Sequence, residues 1–455
     1  MAKLTYKDFK DQLFAMAKTK GFSDFELYYS AGSSFSVRVL NGEISEYKNT
    51  TTEGAGFRGT FNGKMGYAYT ENLDTDILSS FLDNAAANAD IIEDEELEKL
   101  YQGAKDSAYP EVNTYNQELN NTETATKIQW ALDMEQYALG LDPRVKLADF
   151  CTVLSTETHI AIANSYGLNL SQKSNMGAAY LIARVEEGGC NKSSMESWVG
   201  RDFADFDYKK TAKRAVEKAL GLLGASTIPS GKYPVILDQT TCKDILQVFM
   251  SVFYAAGGQK GFSLLNKSKI GESIAAPIIT LRDDGVCDRA LYSQAFDAEG
   301  VATKNKAIIE NGVLKNLLYT TKSAEKDGVE STGNASKAGF GGTINTSITN
   351  LYITPGEKSY DELVQSMEKG VIITSLAGLH SGTNTISGDF SVAAEGYYVE
   401  AGKIVKPVEQ ITVAGNFYEL LKNIEAVGND LKFFSLGASI GAPSVLIKEL
   451  SIAGL

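Results

Sequence analysis

The run Ser387–Asn416 constrains the fold of this chain more than any other part of the sequence. Apolar and polar residues alternate over Asp389–Glu395, which is the period-two pattern of a half-buried strand. Ala401-Gly402 predicts a tight reversal, and a second alternating stretch covers Val408–Val413. Alternating strands joined by a short reversal predict an antiparallel sheet, and they predict no chemistry by themselves.

Elsewhere the chain mixes helices with strand meanders, and the first half repeats the order helix, meander, helix. Asn41-Gly42 and Asn62-Gly63 are strong hairpin signals, because both central residues of that turn need positive φ. Further turns are predicted at Ala31-Gly32 and Tyr166-Gly167. Periodicity and capping residues predict helices over Thr5–Lys20, Thr75–Ala89, Thr122–Leu139, Asp207–Leu223, Thr240–Ala256 and Ser359–Glu368.

At 455 residues the chain is too long for one average domain, and two are expected. Small polar residues with Pro and Gly make Gly224–Gly231 the best linker candidate, and the polar segment Asp90–Asn121 reads as a surface connection. We therefore predict an α+β protein with an N-terminal helix–meander domain over 1–224, whose repeated order hints at an internal duplication. A largely antiparallel β domain with a few helices follows over 232–455. A doubly wound sheet is not expected, because the strands alternate in polarity.

The composition excludes several classes of function. The formal net charge is −14, and no run of Lys and Arg offers the basic surface that duplex binding needs, so no nucleic-acid partner is expected. No apolar run reaches the length of a membrane span, and the first residues read as an amphipathic helix rather than a signal peptide. The four cysteines are scattered and read as reduced thiols. We expect a cytoplasmic protein without a membrane partner.

Familiar catalytic patterns are missing from the sequence. It contains no HExxH, GxSxG or GKS/T motif, and no GxGxxG opening a helix after a strand. His159 lies in a predicted strand, where a structural role is the simpler interpretation. His380 lies in a glycine-bounded loop and is the better functional candidate. A lone histidine is not a zinc site, because zinc needs three or four protein ligands.

The run Ser387–Asn416 resembles the C-terminal signature of the TldD/PmbA family, the "modulator of DNA gyrase" proteins. The resemblance covers essentially the whole chain and is most specific in the second half. Further matching segments are Phe296–Val301, Ile309–Leu314, Ser331–Ala335 and Ala426–Asp430, together with the N-terminal turns Asn41-Gly42-Glu43 and Gly54–Gly56.

The resemblance also identifies what this chain lacks. TldD-type members carry a His-Glu-x-x-x-His metal-binding helix and a cysteine ligand near the C-terminus. An ungapped match places Gln247 and Val252 at the two histidine positions and Val248 at the glutamate position. None of these side chains can bind the metal or act as the general base. The last cysteine is Cys287, so the C-terminal ligand is missing too. The chain therefore resembles the PmbA branch, also called TldE, and no catalytic residue or metal ligand is assigned to it.

The resemblance implies a non-catalytic subunit that pairs with a TldD-type homologue to form a metallopeptidase for small or unfolded peptides. Zinc is then expected only in that partner. Positions that could contact peptide or partner are Asp297, Glu299, His380, Asp389 and Asn416. Each also has a structural interpretation, since Asp and Asn beside glycine often satisfy their own turn backbone.

Two other functions remain open from the sequence. The chain could be a stand-alone or homodimeric peptide-binding or chaperone-like protein, because edge strands can bind extended peptides by strand addition. It could also use Cys242 as a nucleophile, since a helix N-terminus and the adjacent Lys243 would lower the pKa of that thiol.

Overall fold

The computed structural model describes residues 4–91, 98–103 and 108–455. The N-terminal part of the chain forms one sheet of long strands with helices packed on it. Its helices are α1 (Tyr6–Lys20), α2 (Leu78–Ile91), α3 (Gln117–Asn121), α4 (Thr124–Gly140) and α5 (Tyr208–Gly221). Its strands are β1 (Phe25–Leu40), β2 (Glu43–Phe61), β3 (Lys64–Thr70), β4 (Val145–Asn164), β5 (Asn169–Glu187) and β6 (Cys190–Gly200). The predicted connection Asp90–Asn121 includes residues 92–97 and 104–107, which lie outside the described residues.

The strands form an antiparallel sheet in the order β3-β2-β1-β4-β5-β6. Each half of the sheet is therefore a three-stranded meander, and the two halves meet where β1 pairs with β4. Helices α1 and α2 pack on the first half, while α4 and α5 pack on the second. The two halves thus share the same order of elements about the centre of the sheet.

Local chemistry explains several of these boundaries. The Thr5 side chain caps α1 by accepting a hydrogen bond from the Asp8 N–H, and Gly21 ends the helix at φ 94°. The predicted Asn-Gly hairpins are confirmed, since Asn41 and Asn62 both adopt positive φ together with the glycines that follow them.

The predicted turn at Ala31-Gly32 is wrong, because β1 runs without interruption through both residues. Gly54–Gly56, which the sequence suggested as a turn, lies inside β2. Glycine is needed there for close packing instead. A Cβ at Gly32 would lie 2.9 Å from the Glu157 carbonyl oxygen, and a Cβ at Gly56 would lie only 2.1 Å from the Phe340 carbonyl oxygen. These glycines therefore permit close approach within strands and do not mark strand ends.

The C-terminal part carries two larger sheets and a hairpin. Its helices are α6 (Gln239–Phe249), α7 (Ala255–Gln259), α8 (Thr321–Asp327), α9 (Tyr360–Gln365) and α10 (Phe417–Lys422). Its strands are β7 (Gly231–Leu237), β8 (Leu281–Asp284), β9 (Asn305–Glu310), β10 (Val313–Leu314), β11 (Ala335–Lys337), β12 (Ile344–Thr346), β13 (Asn350–Ile353), β14 (Lys369–Ala377), β15 (Asp389–Glu400), β16 (Lys403–Asn416), β17 (Ile424–Val427), β18 (Lys432–Phe434), β19 (Ser439–Ala442) and β20 (Val445–Ala453).

One sheet has the order β16-β15-β14-β7-β20-β17, and a further pairing of β16 with β20 closes five of these strands on themselves. The second has the order β10-β9-β8-β13-β19-β18. Most pairings are antiparallel, while β7–β14 and β13–β19 are parallel. The α+β class is confirmed. The hairpin of β11 and β12 forms no ladder with either larger sheet.

The helix predicted over Thr240–Ala256 is interrupted. It ends at Phe249, continues as a short 3₁₀ turn, and resumes as α7 after Tyr254. The segment Gly224–Gly231 is held in place, because Ile228 is buried in the core and its carbonyl accepts a hydrogen bond from the Leu455 N–H. No helix among residues 4–91, 98–103 and 108–455 is long and apolar enough to cross a membrane.

The two parts of the chain meet on the face of the N-terminal sheet opposite its helices. Tyr28 of β1 and Ile162 of β4 pack there against Phe296. At the far end of the sheet, Lys192 of β6 lies 2.7 Å from Glu395 and 2.5 Å from Glu409. The junction therefore combines apolar packing with buried charge, and it contains the candidate site.

Candidate functional site

The loop Phe296–Val301 brings two of the candidate residues into the junction. The Asp297 carboxylate accepts hydrogen bonds from the backbone N–H groups of Glu299, Val301 and Ala335, each at 2.9 Å. Gly300 lets the loop turn at φ 82°. Asp297 thus stabilises its own loop and also holds Ala335, the first residue of β11. The side chains of Asp297 and Glu299 are both buried.

Glu299 continues into a charged network with the N-terminal sheet. Its Oε2 accepts the Thr321 N–H at 2.7 Å, and its Oε1 lies 3.8 Å from Arg58 Nη1. Arg58 of β2 donates to both oxygens of Glu26 on β1, at 2.8 and 3.2 Å. All three charged side chains are at most 4% exposed. One arginine therefore balances carboxylates from both parts of the chain.

Burial perturbs the titration of this network. Burial, followed by the neighbouring Glu299, raises the pKa of Asp297 to about 7. Burial also raises the pKa of Glu299, against the opposing effect of Arg58. For Arg58, burial works to lower the pKa, yet Glu26 and Glu299 outweigh it and raise this pKa above its ordinary value. Arg58 therefore stays charged, while the protonation of the Asp297 carboxyl changes with pH close to neutrality.

The β11–β12 hairpin lies across the N-terminal sheet, with a cavity on each side and one at its tip. Its tip residue Phe340 packs on two glycines of β2: a Cβ at Gly54 would lie 2.6 Å from the Phe340 ring, and one at Gly56 would lie 2.1 Å from its carbonyl oxygen. The cavities measure about 460, 450 and 440 Å³. Asp297 lines the first and Glu299 the third, while Lys337 forms a wall shared by the first and second.

Five cations line the third cavity, although the protein as a whole is acidic. They come from distant parts of the sequence, namely Arg58, Lys99, Lys260, Lys322 and Lys326. Two carboxylates, Glu98 and Glu299, share this lining. The sequence, which has no basic runs, did not predict this cluster of cations, because folding brings its members together from separate segments.

The positions aligned with a metal-binding helix do not fit a metal. Gln247 is exposed at the end of α6, Val248 packs against the core, and Val252 is buried in the 3₁₀ turn that follows. No group of three or more His, Cys, Asp or Glu side chains that could hold a metal occurs among the described residues. The adjacent Phe249 instead stacks on Phe417 with ring centroids 4.6 Å apart. This helix therefore serves core packing.

The run Ser387–Asn416 supplies structural contacts at its two ends. Asn416 Nδ2 donates to Asp389 Oδ1 at 2.8 Å, and the Asn416 side chain also caps α10. The Ser387 hydroxyl donates to the other Asp389 oxygen, and these two hydrogen bonds, that from Asn416 first, lower the pKa of Asp389. His380 is exposed in the loop after β14. Asp389 and Asn416 thus lie together, on different elements from Asp297 and Glu299.

The alternative in which Cys242 is an activated nucleophile is wrong, because the pKa of its thiol is raised and not lowered. It lies in the first turns of α6, but its side chain is only 3% exposed. Burial, with further contributions from Asp238 and Asp430, raises the pKa of this thiol well above its ordinary value. Desolvation therefore outweighs the helix terminus and Lys243, and the thiol is protonated at neutral pH.

Comparison with known proteins places the chain in a family. Three family models match in succession: PmbA/TldA metallopeptidase domain 1 over residues 25–89, the central domain over 117–223, and the C-terminal domain over 230–454. The chain belongs to the PmbA/TldD metallopeptidase family. The metalloprotease PmbA of Escherichia coli O157:H7 is 30% identical over 333 residues, which cover 72% of this chain and 69% of that protein.

Solved structures show the same relationship. A Thermotoga maritima protein described as a candidate modulator of a DNA gyrase is 34% identical, with a TM-score of 0.89 over 99% of this chain and 100% of that one. TldE from Thermococcus kodakarensis is 22% identical, with a TM-score of 0.90 over 98% of this chain and 100% of that one, and shares its fold. The family resemblance seen in the sequence is confirmed.

Proposed function

We propose that this chain is the non-catalytic, PmbA/TldE-type subunit of a TldD/TldE-like metallopeptidase complex that processes or degrades small or unfolded peptides in the cytoplasm. The observation that carries this proposal is the chemistry of α6. Where a TldD-type helix would present two histidines and a glutamate, this chain has Gln247, Val248 and Val252, and the two valines pack with its core.

In this role the chain completes a peptide-binding chamber and stabilises the geometry of a metal-bearing partner. Its family membership supports this proposal, as does its structural likeness to TldE. The cavities at the junction add side chains that could contact peptide, with Asp297 and Glu299 among them. The zinc and the general base belong to the partner, and the peptide bond is cleaved there.

Co-expression with a TldD-type homologue from the same genome, carrying an intact HExxxH motif, tests the proposal. We expect one complex on size exclusion and a gain in peptidase activity over either chain alone. A partner whose first motif histidine is replaced by alanine should still form the complex but lose the activity. If the mixture shows neither a complex nor a gain in activity, the proposal is wrong.

The alternative, a homodimeric peptide-binding protein without peptidase activity, predicts a different result. The purified chain would then form a stable dimer and bind peptide, and the metal-bearing homologue would change neither property. Elemental analysis of the purified chain separates both functions from an unrecognised metalloenzyme. We expect no stoichiometric zinc, and one zinc held by this chain would contradict the assignment of α6.

A further inference from the structure

Within the described part of the chain, Lys337 is a cation at the junction with no carboxylate paired to it. It is the last residue of β11, and its half-buried side chain lines both the 460 and the 450 Å³ cavities. Its Nζ lies 4.7 Å from the centroid of the Tyr28 ring. Among the described residues, Nζ has neither a hydrogen-bond acceptor nor a carboxylate within ion-pair distance.

Even partial burial of this unpaired ammonium group is costly. An ammonium group taken out of water without a partner loses solvation, and a contact with an aromatic face restores only part of it. Burial lowers the pKa of Lys337 to about 8, while Glu26 on β1 raises it and Arg58 on β2 lowers it. A ligand carboxylate beside Nζ would supply the missing counter-charge.

The acidic groups nearby are already engaged. The Asp297 carboxylate, which faces the same cavity, accepts three backbone N–H groups. Glu26 is held by Arg58 through two hydrogen bonds. Neither carboxylate is an acceptor for Lys337, so the cation remains available to an incoming anion.

The rest of the 460 Å³ cavity combines an apolar wall with polar side chains such as Gln294, Asn334 and Thr349, as a site for the end of a peptide requires. Phe296, Ile160 and Ile348 supply apolar surface beside the Tyr28 ring. Gln172 also lines it, and its Oε1 accepts the Ala295 N–H at 2.7 Å, which orients the side-chain amide. The volume falls within the range of about 300–1,000 Å³ usual for small-ligand sites.

We propose that this cavity binds the C-terminal carboxylate of a short peptide, with Lys337 as its counter-ion and the apolar wall receiving the last side chain. The choice of a peptide as the ligand rests on the proposed function, while the need for an anion rests on the geometry of Lys337. The terminal carboxylate would approach Nζ, and the Gln172 amide would donate to the same group or to the last peptide carbonyl.

Calorimetry on the full-length chain tests this site with acetyl-Ala-Phe as the free acid and as its C-terminal amide. We expect the acid to bind about tenfold or more tightly than the amide, as a charge-assisted hydrogen bond would give. Lys337→Met should abolish the difference. Lys315→Met is the matched control, because Lys315 is exposed and lines none of the three cavities, and it should leave the preference intact.

A second measurement needs no variant. Amine-reactive labelling of the wild-type chain, read by mass spectrometry at Lys337, should be reduced by the acid and not by the amide. A third peptide, acetyl-Asp-Phe amide, carries its carboxylate on a side chain; if it binds better than the acid, the terminal assignment is wrong.

Equal binding of acid and amide, no binding of either at millimolar concentration, or an acid preference that survives Lys337→Met would each overturn the proposal. None of these results bears on complex formation with a TldD-type partner. A chain that assembles and activates the partner but ignores the carboxylate would therefore refute this site alone.

Discussion

Replacing Arg58 with methionine tests whether the buried network at the junction depends on a single cation. Arg58 donates to Glu26 at 2.8 and 3.2 Å and lies 3.8 Å from Glu299, with every partner almost fully buried. Methionine keeps much of the side-chain volume and removes the charge. Two buried carboxylates then lose their counter-ion, and removing one member of such a buried pair costs about 3–5 kcal/mol.

Urea unfolding followed by tryptophan fluorescence measures this loss. Both tryptophans, Trp130 and Trp198, lie in the N-terminal part of the chain and report its unfolding. A carboxyl whose pKa is raised in the folded protein keeps a proton that the unfolded chain has released. The deficit of Arg58→Met should therefore be largest at pH 8 and should shrink as the pH falls towards 5.

The double variant Glu26→Gln, Arg58→Met removes one of the stranded carboxylates and should recover part of the loss. Lys232→Met is the control for an exposed ion pair, since Lys232 and Glu449 are 68% and 48% exposed, and its effect should be near zero. If Arg58→Met is no more destabilising than this control, or if its deficit does not depend on pH, the buried-network reasoning is refuted.

Three further changes have expected outcomes. Gly56→Ala places a methyl group against the hairpin carbonyl and should destabilise the protein by about 1–3 kcal/mol in thermal unfolding, whereas Gly140→Ala, with open space around it, should not. Native Cys242 should resist iodoacetamide at pH 8 while half-buried Cys190 reacts; equal rates would contradict the burial of Cys242. The pKa of Asp297 is raised to about 7 in the folded protein. Its contribution to stability is therefore fully present below the pKa that this carboxyl has in the unfolded chain, and it is lost as the pH rises through 7. Between pH 5 and 8, the urea midpoint of Asp297→Asn should fall less than that of wild type.

Local signals in the sequence predicted the elements well. Thr5 and Gly21 bound α1, and the Asn-Gly hairpins form as expected, because each signal depends on residues close together in the chain. The predicted turns at glycine were wrong where the glycine makes room for a distant segment of the chain. Gly32 and Gly56 sit inside strands because a carbonyl from a distant segment approaches them, and a single sequence does not reveal that contact.

The candidate site was predictable only in part. Asp297 and Glu299 stood out because their segment, Phe296–Val301, resembles a segment of the family, and both lie at the junction. Arg58 and Lys337 gave no signal, since each is a lone basic residue whose contacts, such as Glu299 for Arg58 and Tyr28 for Lys337, come from distant segments of the chain. The prediction for Cys242 was wrong for the opposite reason. Its local sequence favoured a thiol with a lowered pKa, whereas burial by distant residues raises that pKa.

The contrast between α6 and the junction bears on what this chain contributes to its family's chemistry. At the end of α6 and in the turn after it, Val248 and Val252 pack with the core, Gln247 is exposed, and Phe249 stacks on Phe417. At the junction the opposite has occurred, because charged side chains are buried at a cost that apolar residues would avoid. A chain retained only for its shape would gain stability if the whole charged set, Arg58 together with Glu26 and Glu299, were replaced by apolar residues, although replacing Arg58 alone leaves two carboxylates unpaired. The presence of this charged set therefore favours a binding role at the junction over a purely structural one.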